Sequence, residues 1–190
     1  MTFPCENIDP QYAGLKKRSI AMVFDLLIIA GYAIILAILS TILIYTTSFE
    51  LWMNTPIKQD IIAFSTLILP AVLYFALQES SSRQATIGKR KAGIKVINRD
   101  GGKLSIVQSL LRSGIKFLPW QMAHTTVIQI WAGNTSTTLL AFSIFSQVLV
   151  IFYIVCLWLS KRHRTPYDWV ADTYVVKVNN NQSLEHLANS

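Results

Sequence analysis

The sequence contains few charged residues. Lysine, arginine, aspartate and glutamate make up 14% of its 190 residues and apolar residues 52%, whereas soluble globular domains contain roughly 25% charged residues. Cysteine is also scarce. With only Cys5 and Cys156, a disulfide framework of the kind found in small secreted proteins is excluded. The composition therefore argues against a soluble globular protein, and the length suggests one domain.

Three long stretches contain one charge or none. Ile20–Tyr45 has a single charged residue, Asp25, and is longer than the roughly 20 residues that a helix needs to cross a bilayer. Ile61–Leu77 and Thr138–Ser160 have no charge at all. The first stretch is also longer than the apolar core of a signal peptide, roughly 7–15 residues, so we expect a retained helix. These stretches predict an integral membrane protein.

The basic residues are unevenly distributed along the chain. Three precede the first apolar stretch, seven lie between residues 78 and 103, and four follow Ser160, whereas residues 46–60 include only Lys58. Because lysine and arginine are enriched in cytoplasmic loops, we expect a multi-pass protein of the cell membrane with both termini and the central loop in the cytoplasm. A net charge of +7 can also indicate nucleic-acid binding, but this distribution follows the membrane topology and argues against it.

This topology requires a fourth crossing, because an even number of passes must connect a cytoplasmic central loop to a cytoplasmic C-terminus. We expect Ser105–Ala132 to supply it, although Arg112 and Lys116 lie inside this segment and Pro119 interrupts it. The alternative is an amphipathic helix that lies in the membrane plane and ends at Pro119. The sequence therefore predicts an all-α membrane protein with four transmembrane helices, at about residues 18–45, 61–77, 105–132 and 138–160.

Two further segments have the character of β-strands. Ile94–Asn98 is rich in β-branched residues and precedes an Asp-Gly-Gly turn signal at residues 100–102. Thr173–Val178 is a second run of this kind. Since an isolated hairpin is only marginally stable, we expect a small cytoplasmic antiparallel sheet of three strands. In this sheet a hairpin that returns through Lys103–Ser105 is joined by the C-terminal strand.

Three motifs occur in order along the chain. Arg18 and Asp25 stand seven residues apart at the start of the first apolar stretch, and TIGKRKAGIKVINRDGGKLSIVQSLLRSGIKF forms the central segment. RTPYDWVADTYVV, which contains Asp168, follows the last apolar stretch. Together these motifs resemble the RDD family, prokaryotic multi-pass membrane proteins named for one arginine and two aspartates. In this resemblance Arg18, Asp25 and Asp168 are the three naming residues.

The resemblance extends over about residues 12–178, which we take as an RDD-like membrane domain followed by a polar C-terminal tail at residues 179–190. It implies a membrane location. Because some members are linked to transport, including cation/proton antiport, it also implies a role in transport. Two positions depart from the family pattern. The family usually has histidine before the second aspartate and glycine before the threonine, and here these positions are Tyr167 and Asp172. A function that requires that histidine is not implied for this chain.

Asp25 needs a specific explanation, because a charge inside a transmembrane helix costs at least about 2.5 kcal/mol. It lies about 10 Å along the helix from Arg18, which can reach the cytoplasmic interface as a topology anchor. Arg112 would lie at a similar depth in the third helix, so we expect a buried ion pair between Asp25 and Arg112. Asp25 could then be a proton or cation site, or one half of a pair that fixes helix packing, and the residues leave both interpretations open.

Asp168 has a structural interpretation of its own. Thr165-Pro166-Tyr167-Asp168 combines a threonine at the N-cap, a proline at the first helical position and an acid two residues later. This pattern predicts a capping box at the start of a short helix. The basic run Lys161–Arg164 beside it is suited to the headgroups of anionic lipids.

The sequence does not indicate an enzyme. Its serines have no base at a suitable spacing, TIGKR at residues 86–90 lacks the earlier glycine of a P-loop, and His124 has no second metal ligand near it in sequence. We therefore expect no catalytic residues, no cofactor and no metal.

Two classes of function remain. The first is a small transporter that moves a cation, a proton or a solute with an intramembrane carboxylate. The second is an accessory or regulatory protein without transport activity, which binds a membrane partner. The expected partners are the lipid bilayer, anionic lipids at the basic cytoplasmic segments, and another copy of the chain or a second membrane protein.

Overall fold

The computed structural model describes residues 11–47 and 53–178, so the predicted tail at residues 179–190 lies outside the described residues. The second long helix contains a π-helical turn at Phe64–Ile68. In chain order the elements are α1 (Leu15–Thr46), α2 (Pro56–Glu79), α3 (Ile87–Lys91), β1 (Ile94–Asn98), α4 (Ile106–Trp131), α5 (Thr137–Leu159), α6 (Pro166–Val170) and β2 (Thr173–Lys177).

Each of the four predicted membrane segments is a long helix. Among the described residues, α1, α2 and α5 are long and apolar enough to cross a membrane. The helix α4 is more polar, but it runs without a break through Pro119. The alternative of a helix that ends at Pro119 is therefore wrong. With 26 residues, α4 is about 39 Å long, which exceeds the roughly 30 Å of a bilayer's hydrocarbon core.

The prolines inside the long helices explain two contacts between helices. A proline has no N–H, so it leaves the carbonyl four residues earlier without its usual donor. The carbonyl freed by Pro70 is that of Thr66, and it accepts a hydrogen bond from the hydroxyl of Tyr32 on α1 at 2.5 Å. In α4, the proline at position 119 frees the carbonyl of Ile115, which accepts from the hydroxyl of Tyr153 on α5 at 2.9 Å. Such partners are important in lipid, where no water can satisfy a free carbonyl.

Between α2 and α4 lies a small apolar core. It consists of Ile68, Ala71, Phe75 and Phe117, all of which are buried. The centres of the Phe75 and Phe117 rings lie 5.5 Å apart, within the distance range of aromatic pairs. This core holds the end of α2 against the first half of α4.

The sheet has two strands in the described residues. β1 and β2 are antiparallel, with Val96 opposite Val175 in the register. The prediction of a hairpin through Lys103–Ser105 is wrong, because the chain after β1 forms only a loop. In this loop the amide of Gly102 donates to the side chain of Asn98 at 2.7 Å, and the next helix begins at residue 106. The predicted pairing of the central segment with the C-terminal strand is confirmed.

The N-terminal segment, and not the predicted hairpin strand, lies beside the C-terminal strand at the edge of the sheet. Tyr12 forms a single β-bridge with Val176, and the amide of Ala13 donates to the carbonyl of Val175 at 2.9 Å. Underneath lies a second buried apolar cluster, to which α1 contributes Ala21. The chain just before α1, the central segment and the C-terminal strand are thereby held together.

Candidate functional site

The start of α1, the end of α2, the start of α4 and the segment after α5 meet at one end of the helices. We call this the charged end, because ion pairs connect these elements to one another. At its centre is Asp168 in the short helix α6. The predicted capping box is present, since the Asp168 carboxylate accepts from the amide of Thr165 at 3.1 Å and from its hydroxyl at 2.8 Å.

Two arginines from different helices bind the same carboxylate. Arg18 of α1 donates from Nη1 to Oδ2 of Asp168 at 3.1 Å, and Arg112 of α4 donates from Nε to Oδ1 at 2.8 Å. Asp168 is fully buried and Arg112 nearly so. The sequence therefore identified two of these residues by their family resemblance, but not that they contact each other.

Glu79 extends this charge cluster, and the sequence analysis did not identify it. It is the last residue of α2, is fully buried, and accepts hydrogen bonds from both Arg112 and Lys89. The sequence feature that could have identified Glu79 is its position between a charge-free stretch and a strongly basic loop. Two carboxylates and three cations, Arg18 among them, thus form one buried network.

Burial and neighbouring charges shift the pKa values of the network's residues, and the balance between these two effects differs from residue to residue. Burial raises the pKa of Asp168, but Arg112 and Arg18 outweigh this effect and hold the pKa well below its usual range. Burial lowers the pKa of Lys89 to about 8, although the adjacent Glu79 carboxylate raises it. Asp168 is therefore a fixed negative charge, whereas burial makes the positive charge of Lys89 less favourable than it is in water.

Asp25 is also buried, but the predicted ion pair with Arg112 is wrong. Its carboxylate accepts from the hydroxyl of Thr86 at 2.6 Å, the amide of Gly88 at 2.9 Å and the hydroxyl of Tyr74 at 3.0 Å. The first two donors belong to the start of α3, which packs against α1. Asp25 and Arg112 each have other partners.

The contact between α1 and α3 is very close. A Cβ atom at Gly88 would lie 2.2 Å from the carbonyl oxygen of Ala21 and 2.8 Å from the carboxylate of Asp25. Only glycine fits at this distance. The backbone amide of Gly88 can therefore reach the carboxylate directly.

A cavity of about 220 Å³ lies between α1, α2 and α4, and Asp25 and Lys116 are its charged lining residues. Both residues are ten positions into their helices, about 15 Å from the first residue. The ammonium of Lys116 lies 3.2 Å from the centre of the Phe75 ring, a cation–π contact. Among the described residues, Lys116 makes neither a hydrogen bond nor an ion pair. The other lining residues are apolar or aromatic.

The two departures from the family pattern occupy defined places at the charged end. The ring of Tyr167 lies 5.2 Å from the guanidinium carbon of Arg112 and edge-on to Tyr153 at 5.6 Å. Asp172 has a φ of 47°, in the left-handed region that favours glycine and that aspartate tolerates better than most residues. A glycine at this position in the family pattern is thus explained by the backbone.

The comparison with known proteins agrees with this geometry. The model of the RDD family matches residues 12–172, which includes α1 through α6. The chain belongs to the RDD family. No curated protein and no solved structure matches the chain significantly. It is therefore an RDD-family membrane protein with three helices that are apolar enough to span a membrane.

Arg18, Asp25 and Asp168 match the three residues for which the RDD family is named, and two of them contact each other. Arg18 pairs with Asp168, whereas Asp25 binds α3 and lines the neighbouring cavity. In the part of the chain that the structure describes, no group of three or more histidine, cysteine or acidic side chains is placed to hold a metal ion.

Proposed function

We propose that this RDD-family protein is a small transporter that moves a proton or a small cation through the cavity between α1, α2 and α4. The observation that carries the proposal is the placement of two opposite charges, Asp25 and Lys116, in one otherwise apolar cavity. Ionisable groups at such depth are costly and, in membrane proteins, usually mark an ion or proton path.

The two groups have different roles in this proposal. The Asp25 carboxylate has about four acceptor sites, and three donors from protein groups occupy part of this capacity. Lys116 lacks an oxygen partner among the described residues, so its charge is the less stabilised of the two. Lys116 is thus the group that exchanges a proton or is displaced by a cation. Asp25 is the fixed negative charge that attracts the transported proton or cation.

Ion flux in proteoliposomes that contain only this protein tests the proposal. We expect Lys116→Met to fold and to reduce proton or cation flux to the rate of protein-free liposomes, because the exchangeable charge is lost. Lys103→Met is the matched control, since Lys103 is exposed and lies outside the cavity. Asp25→Asn should also abolish flux, although it weakens the contact to α3 as well. Folded Lys116→Met with wild-type flux would refute the proposal.

The proposed route requires a defined topology. In our proposal, all four long helices cross the cell membrane, and the charged end faces the cytoplasm together with both termini. The basic residues that cluster at this end support this orientation. The polar residues of α4 support its crossing as well, because Arg112 and Lys116 point into protein contacts and a cavity.

Labelling of single cysteines in whole cells tests this topology in a background without Cys5 and Cys156. A cysteine at Gly101, in the loop after β1, should react only after the membrane is made permeable. A cysteine at Asn134, between α4 and α5, should react with an impermeant reagent from outside. The opposite pattern at either position would disprove the orientation, and labelling of both from the same side would disprove the crossing by α4.

A non-transporting accessory role is the second candidate, and the exposure of α1 favours it. None of the most apolar part of α1 is buried by the rest of the chain, so this surface is available to lipid, another copy or a membrane partner. The flux experiment separates the two functions. Folded wild-type protein without any flux would support the accessory role.

A further inference from the structure

A large basic cleft lies at the charged end and shares no lining residue with the cavity between α1, α2 and α4. It opens between the sheet, the start of α1 and the connection from α5 to α6. Its volume of about 1020 Å³ is at the upper end of the range for small-molecule sites. Two carboxylates, Asp100 and Asp172, lie in the lining. The basic lining residues are Lys17, Lys95, Arg99, Arg162, Arg164 and Lys177.

Aromatic rings hold two of the arginines without neutralising them. Tyr12 and Tyr174 form a pair with ring centres 5.9 Å apart. The guanidinium carbon of Arg162 lies 5.7 Å from the first ring and 5.9 Å from the second, and that of Arg164 lies 4.2 Å from the Tyr174 ring. Because cation–π contacts leave the positive charge in place, the Arg162 guanidinium is positioned without a countercharge, whereas that of Arg164 also pairs with Asp172.

The carboxylates of the cleft do not balance its basic groups. Asp172 pairs with Arg164 at 3.1 Å and with Arg99 at 3.9 Å. Among the described residues, no carboxylate lies within 4.0 Å of the basic groups of Lys17, Lys95 or Arg162. In addition, Nε of Arg164 is buried without a hydrogen-bond partner. Six basic groups against two acids give the cleft four positive charges in excess.

We propose that this cleft binds phosphate groups, and that their source is the headgroup of an anionic phospholipid. Several unpaired cations that converge on one concave site are the arrangement that phosphate oxygens need. The location supports a lipid source, because Lys17 is in the first turn of α1 and Arg162 follows the end of α5 by three residues. Both therefore lie at the boundary of the apolar helices. A soluble phosphate compound shares this chemistry, and the experiment distinguishes the two sources.

The test uses the full-length protein in nanodiscs and two variants that remove the same number of charges. The cleft variant is Lys17→Gln with Lys95→Gln and Arg162→Gln. The control variant is Arg83→Gln with Arg90→Gln and Lys103→Gln, three exposed residues outside the cleft. Native mass spectrometry measures retained phosphatidylglycerol against phosphatidylcholine. Calorimetric titration with tripolyphosphate in phosphatidylcholine nanodiscs measures the soluble ligand, and thermal unfolding confirms that both variants are folded.

The wild type and the control variant should retain phosphatidylglycerol in preference to phosphatidylcholine. The cleft variant should lose this preference by about a hundredfold, since each basic group near an anionic headgroup contributes about fivefold. A third outcome is that tripolyphosphate binds through the cleft residues but the protein shows no lipid preference. The cleft would then be a phosphate site, and the proposal that the phosphate comes from a lipid headgroup would be wrong. Equal losses in both variants, or binding of neither probe by the wild type, would overturn the site itself.

Discussion

Asp168→Asn is expected to destabilise the protein by about 3–5 kcal/mol, because it leaves buried arginine charge without its carboxylate. Both carboxylate oxygens of Asp168 accept from donors: Arg112 on one side, and Arg18 and Thr165 on the other. An asparagine would have to direct its NH₂ group toward one of these donors. Unfolding in detergent, followed by circular dichroism against temperature or denaturant, measures the effect.

Asp172→Asn is the matched control for this experiment. Asp172 also pairs with two arginines, but its side chain is 46% exposed, and exposed pairs contribute about 0–1 kcal/mol. Asparagine also tolerates the left-handed backbone at this position. If Asp168→Asn were as stable as Asp172→Asn, the buried network would not hold the charged end together.

The pH dependence follows from the lowered pKa of Asp168. An aspartate in the unfolded chain has a pKa of about 3.9. Since the folded state binds this proton more weakly than the unfolded state, the stabilisation by Asp168 is complete above about pH 4 and is lost as the pH falls further. The difference in stability between wild type and Asp168→Asn should therefore narrow on acidification below that pH.

The parts of the fold that depend on one segment at a time could be predicted from the sequence. The long apolar stretches became α1, α2 and α5, and the threonine and aspartate at positions 165 and 168 formed the expected capping box. These features follow from local composition and from hydrogen bonds between residues three positions apart in the sequence.

The lateral arrangement could not be predicted in the same way. Depth along a helix does not determine which neighbour it faces, so the sequence could not show that α3 lies against α1 and supplies donors to Asp25. Similarly, β-propensity marked β1 as a strand but not its partner. The turn signal at residues 100–102 favoured a local hairpin, whereas the chain paired β1 with β2, more than 70 residues away, and used residues near Tyr12 at the outer edge.

Glu79 shows a second limit of sequence reasoning. A carboxylate at the end of an apolar stretch looks like an ordinary helix terminus in water. Only the packing of α2 on α4 brings it to Arg112, and only the short helix α3 brings Lys89 to its other oxygen. The same packing explains why two cations, Lys89 and Arg112, can be buried near each other, because the buried Glu79 carboxylate accepts from both.

Gly88→Ala is expected to have the second large effect. The added methyl group would lie 2.2 Å from the backbone oxygen of Ala21, and neither helix backbone can yield without moving the other. Forcing additional carbon into a packed contact costs about 1–3 kcal/mol, and a separation of α1 from α3 would also lengthen the 2.9 Å hydrogen bond from Gly88 to Asp25. We therefore expect a loss of stability of about 3 kcal/mol, near the upper end of that range, together with reduced flux.

Gly114→Ala is the control, because it makes the same chemical change in the interior of α4, where a Cβ would meet nothing within 4 Å. Alanine is favoured over glycine inside a helix by about 0.5–1 kcal/mol, so this variant should be slightly more stable than the wild type. The two variants should thus shift the unfolding midpoint in opposite directions. If Gly88→Ala unfolded at or above the wild-type midpoint, α3 would not contact α1 as closely as described. The position of Asp25 would then have to be explained by Tyr74 and the helix α2 alone.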